Sequence, residues 1–146
     1  MRSRATRPQA RPRTLPRIDR RELAAIFAGG FAGAIARTAL ARHAPHDPVS
    51  WPWTTFAVNL AGAFLLGWFV TRLQERLPLS AYRRPLLATG FCGALTTFST
   101  MQLELLRMLE QHHVALALGY GAATVAGGLL AMKASIAVVR RVRVLA

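Results

Sequence analysis

Five consecutive residues, Thr96-Thr97-Phe98-Ser99-Thr100, put four hydroxyls and one aromatic ring inside Pro85–Leu103, a run of 19 residues without a charged side chain. A hydroxyl both donates and accepts hydrogen bonds. Gly90, Gly93 and the β-branched Thr96, Thr97 and Thr100 are all poor for a continuous helix. A helix that breaks in an apolar setting frees backbone carbonyls, and freed carbonyls suit a bare cation. One turn beyond Thr100 stands Glu104, either paired with Arg107 or turned toward a pore. Elsewhere Thr55, Asn59 and Gly62 share one helix face at i, i+4 and i+7, and Tyr120, Thr124 and Gly128 share another at i, i+4 and i+8. Asn59 offers two N–H donors and one acceptor, which serve a substrate pathway or a bond between helices equally well. Arg37 lies within another apolar run, where it either snorkels or supplies positive charge at the mouth of an anion pathway.

The elements that must position these groups are long and greasy. Trp53–Thr71 and Val114–Met132 are, like Pro85–Leu103, 19 residues long without a charge, and Leu23–Ala41 is interrupted only by Arg37. A hydrocarbon core of ~30 Å needs ~20 residues of helix at 1.5 Å each. The chain of 146 residues is therefore expected to be an all-α membrane protein with four transmembrane helices, the third of them broken. They fall at about 22–41, 53–71, 85–109 and 114–139, inside a transmembrane domain spanning 22–139. Residues 1–21, rich in Arg and Pro, read as a disordered cytoplasmic tail held by anionic lipid, and 140–146 as a basic C-terminal tail. No small-residue cleavage site follows the first apolar run, so a signal peptide is not expected. Trp51 and Trp53 form an interfacial aromatic anchor at the start of the second span.

Several function classes are disfavoured, and two of them, a small proton-coupled exporter and a non-transporting assembly protein, stay open as alternatives. No Ser-His-Asp, Cys-His or HExxH arrangement occurs, and the four histidines lie in polar linkers, so an enzyme is not expected. The single cysteine, Cys92, is uncharged and within a span; it reads as a small core residue, with a redox or intermolecular role as the rarer alternative. A net charge of +13 does not imply a nucleic-acid binder here, because the basic residues flank membrane spans. A small proton-coupled exporter needs an acid in mid-span, and neither Leu23–Ala41 nor Trp53–Thr71 contains one. A non-transporting assembly protein would use Asn59 and the Gly29/Gly33 pair only for packing.

Taken together, "GGFAGAIAR", "TTFAVNLAGAFLLG" and "GFCGALTTFSTMQLE" resemble the CrcB/Fluc family of fluoride channels across all four spans. The resemblance implies an antiparallel, dual-topology-type dimer with two pores that export fluoride passively from a prokaryotic cell. It implies that Asn59 is the pore asparagine, Thr55 its polar neighbour and Phe98 the first of two pore phenylalanines, the second position being Met101. Tyr120 and Thr124 match the start of a hydroxyl track whose next position is Gly128. Arg37 matches a vestibule arginine and Glu104 an acid after the motif. Gly93 and Thr96 match the positions whose backbone carbonyls hold a structural sodium ion, not transported, at the dimer interface. The physics agrees with that assignment. Fluoride is small and strongly hydrated, so a selective pore replaces water with donors, and an aromatic ring presents a positive edge to an anion. Conduction further needs binding weak enough to release, which favours uncharged donor faces.

Fifteen of the 19 Lys and Arg residues fall on one side of the expected spans, which places both termini in the cytoplasm. A chain that inserts both ways should show little such bias. The expected partner is accordingly either a second copy or a paralogue of opposite topology.

Overall fold

The computed structural model describes residues 19–43, 50–75 and 82–144. Among these the structure is helical, with no strand: α1 (Arg20–His43), α2 (Trp53–Glu75), a π-helical segment Pro85–Cys92, α3 (Gly93–Leu95), α4 (Phe98–Glu110) and α5 (Val114–Val144). Most of the Arg-rich tail expected to be disordered, and the middles of two polar linkers, lie outside the described residues. The first helix begins at Arg20 rather than Glu22.

α1, α2 and α5 are each long and apolar enough to cross a membrane. α5 has 31 residues, and at 1.5 Å per residue it reaches about 46 Å, past a hydrocarbon core of ~30 Å. The excess carries Arg140, Arg141 and Arg143, so residues expected to form a separate tail continue the helix to Val144. Large apolar side chains such as Phe27 (77% exposed) and Leu118 (69%) point away from the protein. That surface suits hydrocarbon rather than water.

The run from Pro85 to Glu110 is divided. The backbone is helical to Leu95, then extended at Thr96 (φ −72°, ψ 151°) and Thr97 (φ −141°, ψ 113°), and helical again from Phe98. The second helix restarts because Thr97 caps it: its Oγ1 accepts the backbone N–H of Thr100 at 3.2 Å.

α1 packs along the π-helical segment backbone to backbone. A Cβ at Gly29 would overlap the Leu86 carbonyl, one at Gly33 the Phe91 carbonyl oxygen, and one at Gly90 would come within 2.5 Å of the Ile26 carbonyl oxygen. Small residues at four-residue spacing permit this approach. At Gly30, by contrast, an added Cβ meets only the Gly90 carbonyl oxygen at 3.9 Å, an ordinary contact. Gly33→Val should therefore lower the unfolding midpoint of the detergent-solubilised protein by forcing the two backbones apart, at a cost of about 1–3 kcal/mol or more. Gly30→Ala should leave that midpoint unchanged. Equal midpoints for the two variants would contradict the packing.

α2 pairs with α5, where Gly67 leaves room for Ser135 Oγ and the Met132 carbonyl. α4 closes against α5 around Met101, Met108, Ala117 and Tyr120, with Trp51, Phe56, Leu105 and Leu116 packed on that cluster. The extended turn at Thr96–Thr97 is thus held between α2 on one side and the start of α4 on the other.

Candidate functional site at the helix interruption

Asn59 faces the interruption. Its Oδ1 accepts the backbone N–H of Thr97 at 2.8 Å, and its Nδ2 donates to the Thr97 carbonyl at 3.2 Å. One amide side chain thereby replaces, for a single residue, both bonds that a helix would have supplied. Thr97 is buried, so water is a poor substitute. The Thr97 hydroxyl also donates to Thr100 Oγ1 at 2.8 Å. Three residues on, Gly62 of the same helix leaves space that the Thr96 methyl fills. Thr96 Oγ1 donates to the Cys92 carbonyl at 3.0 Å, which satisfies its hydroxyl locally.

A second cluster lies beside this turn. Glu104 is 4% exposed, and its carboxylate accepts Thr55 Oγ1 at 2.6 Å and the Tyr120 hydroxyl at 2.7 Å. These hydroxyl bonds reach Glu104 from α2 and α5, joining it to two other helices. Tyr120 is fully buried, and the Trp51 ring stands edge-on to it, 5.5 Å between centroids at 81°. Thr124 donates to the Tyr120 carbonyl at 2.8 Å. Each hydroxyl has one proton. In this arrangement the protons of Thr55, Tyr120 and Thr124 point at protein oxygens, and their lone pairs face elsewhere.

Two clefts flank Thr97, and Thr97 lines both. One, about 290 Å³, holds Arg37, Thr54, Thr55 and Thr100. The other, about 350 Å³, holds Asn59, Phe98, Met101, Thr124 and Gly128. Phe98 is 68% exposed, while Met101 is 6% exposed and packs into the α4–α5 core as well as lining the cleft. The structure therefore gathers Asn59, Phe98, Met101, Thr124 and Gly128 at one cleft, with Arg37 and Thr55 at the other. Gly93 is apart from both, exposed, with nothing within 4 Å of where a side chain would stand. No group of His, Cys, Asp and Glu suited to a metal ion occurs among the described residues.

Sequence reasoning missed the clamp of Asn59 on Thr97 and the capping role of Thr97. The signal for the cap was present: a Thr three residues before another hydroxyl, ahead of a helical run. Nothing local signals the Asn59 contact, which joins residues 38 apart in sequence.

Comparison with known proteins places this geometry in context. A family model described as CrcB-like protein, Camphor Resistance (CrcB), matches residues 24–136. The chain is 64% identical over 126 residues to a fluoride-specific ion channel, FluC 1, of Mycolicibacterium paratuberculosis, covering 86% of this chain and 96% of that protein. It is 58% identical over 130 residues to the FluC 1 fluoride-specific ion channel of Mycobacterium tuberculosis, covering 89% and 98%. A more distant relative, the fluoride-specific ion channel FluC of Chlorobaculum tepidum, is 42% identical over 104 residues, covering 71% and 82%.

Proposed function

The chain belongs to the CrcB-like family, and from that premise we propose that it is a fluoride-selective channel, not an enzyme, that lets fluoride leave the cell down its gradient. The observation that carries the reading is the pair of clefts sharing Thr97, one holding Arg37 and the other Asn59 and Phe98. A positive charge concentrates the anion at one mouth. The neutral donor and aromatic surface beyond it binds without trapping. Asn59 retains one N–H beyond its bond to Thr97, and Phe98 presents ring edges at an exposed position. Met101 offers a polarizable thioether of similar length at the position of the second ring. Thr55, Tyr120 and Thr124 contribute donors to the ion only as their protons turn from Glu104 and the Tyr120 carbonyl.

In this reading the protein crosses the plasma membrane of a prokaryote four times, the interrupted run from Pro85 to Glu110 being the third span. Its exposed apolar faces meet lipid and a second, oppositely oriented chain, either an identical copy or a paralogue. Phe98, 68% exposed, then has a partner surface to face.

The donor set fits a structural sodium ion at the carbonyls of Gly93 and Thr96. The helix ends at Leu95, Thr96 is extended and the space where a Gly93 side chain would stand is open, which supports a role for backbone carbonyls there. When bound, such an ion would balance converging carbonyl dipoles and join two chains, without being transported.

Expression in bacteria lacking their own fluoride efflux tests the reading. Cells carrying the wild-type gene should grow in millimolar fluoride, and cells carrying Phe98→Ala, with the protein present in the membrane, should not. Growth inhibition of both would count against the proposal, and growth of both would remove Phe98 from the pathway.

A further inference from the structure

In a continuous helix the carbonyl of residue i accepts the N–H of residue i+4. The Gly93 carbonyl would thus take the N–H of Thr97, and the Thr96 carbonyl that of Thr100. Both N–H groups are engaged by side chains instead. Thr97 N–H donates to Asn59 Oδ1 at 2.8 Å, and Thr100 N–H donates to Thr97 Oγ1 at 3.2 Å. The extended Thr96 and Thr97 take the carbonyls from Gly93 to Thr96 out of the helical pattern, and these include the two that the sodium reading requires. Moreover, the Asn59 amide bonds the two peptide groups on either side of the Thr97 Cα, which fixes the orientation of the turn. Thr97 is buried, so water is a poor substitute for Asn59 at its N–H.

We propose that Asn59 and Thr97 are positioning residues for the cation site: by capturing the N–H groups of Thr97 and Thr100 they hold the carbonyls of Gly93 and Thr96 open for sodium. The proposal rests on the sodium reading above. It gives Asn59 a second task beside the anion, so a residue in the fluoride cleft also maintains the cation cage. It also gives the Thr97 side chain, which lines both clefts, a defined task.

The test reads cation binding rather than flux. The unfolding midpoint of the purified full chain is measured against sodium chloride, with N-methylglucamine chloride holding ionic strength constant. A ligand that binds only the folded state raises the midpoint with concentration. Thr97→Val, which keeps the shape and removes the acceptor, should need roughly tenfold more sodium or more for the same shift. Thr97→Ser, which keeps the acceptor, should stay within about threefold of wild type. Asn59→Leu should lose sodium response as Thr97→Val does, and it decides the matter if Thr97→Val does not fold. A sodium response unchanged in Asn59→Leu or in folded Thr97→Val would overturn the positioning role while leaving the sodium site standing. No sodium response in the wild type would instead overturn the sodium reading itself, and this inference with it.

Discussion

Asn59→Leu is expected to silence fluoride efflux from proteoliposomes while the protein still elutes as an assembled species. The substitution removes more than one donor from a cleft. It strips the Thr97 peptide of partners for both its N–H and its C=O, at a buried position. Each orphaned group costs about 1–3 kcal/mol. If only the turn and not the whole fold absorbs that cost, the competent geometry loses one to four orders of magnitude in population, at ~1.4 kcal/mol per tenfold. Leucine keeps the branching and the number of side-chain heavy atoms of asparagine, so the packing between α2 and the turn should survive. Efflux near the wild-type rate in an assembled Asn59→Leu protein would show that the clamp is dispensable and that the pathway runs elsewhere.

Glu104→Ala should reduce stability as much as any single substitution in this chain. The carboxylate receives the hydroxyls of Thr55 and Tyr120 from two other helices, and all three residues are buried. Alanine would leave both hydroxyls without that acceptor, at about 1–3 kcal/mol each, or roughly 5–15 °C in unfolding midpoint for a chain of this size. Removing a partner hydroxyl as well should recover part of the loss, because deleting both halves of a buried bond costs less than deleting one. Tyr120→Phe is thus expected to be destabilising alone and milder in the Glu104→Ala background. Strict additivity of the two changes would show that they do not interact. Glu104→Gln keeps one acceptor oxygen but turns an N–H₂ toward a hydroxyl, and should fall between the two.

Much of the fold is legible in the residues because hydrocarbon imposes simple rules. The uncharged runs beginning at Trp53 and Val114 correspond to α2 and α5, whose first residues are those same two. The Gly29/Gly33 spacing similarly anticipates close packing, and the structure supplies the Leu86 and Phe91 carbonyls as the surfaces that need it. What the residues do not reveal is non-local or a matter of backbone register. The π-helical winding of Pro85–Cys92 has no compositional mark. Helix ends are expected where charges begin, yet Arg140 and Arg141 continue α5, because an arginine forms helix well and a long helix carries its charges clear of the bilayer.

The candidate site divides the same way. Spacing puts Thr55 and Asn59 on one face and Tyr120 and Thr124 on another, but it is silent about what those faces meet. Glu104 is the clearest example. Its neighbour Arg107 is the partner that local spacing suggests, whereas its hydroxyl partners are 49 and 16 residues away. Family resemblance supplies roles for such residues; the hydrogen bonds supply the reason that Asn59 and the Thr97 turn act as one unit.

The central claim is a selective fluoride path through this chain, and the most direct measurement is ion release from liposomes. Purified wild-type protein is reconstituted into vesicles loaded with potassium fluoride or potassium chloride, and release is followed with ion-selective electrodes after valinomycin is added to balance charge. Fluoride should leave rapidly from protein-containing vesicles, while chloride release stays at the level of protein-free vesicles. Fluoride release no faster than from empty vesicles, or chloride release equal to that of fluoride, would contradict the account.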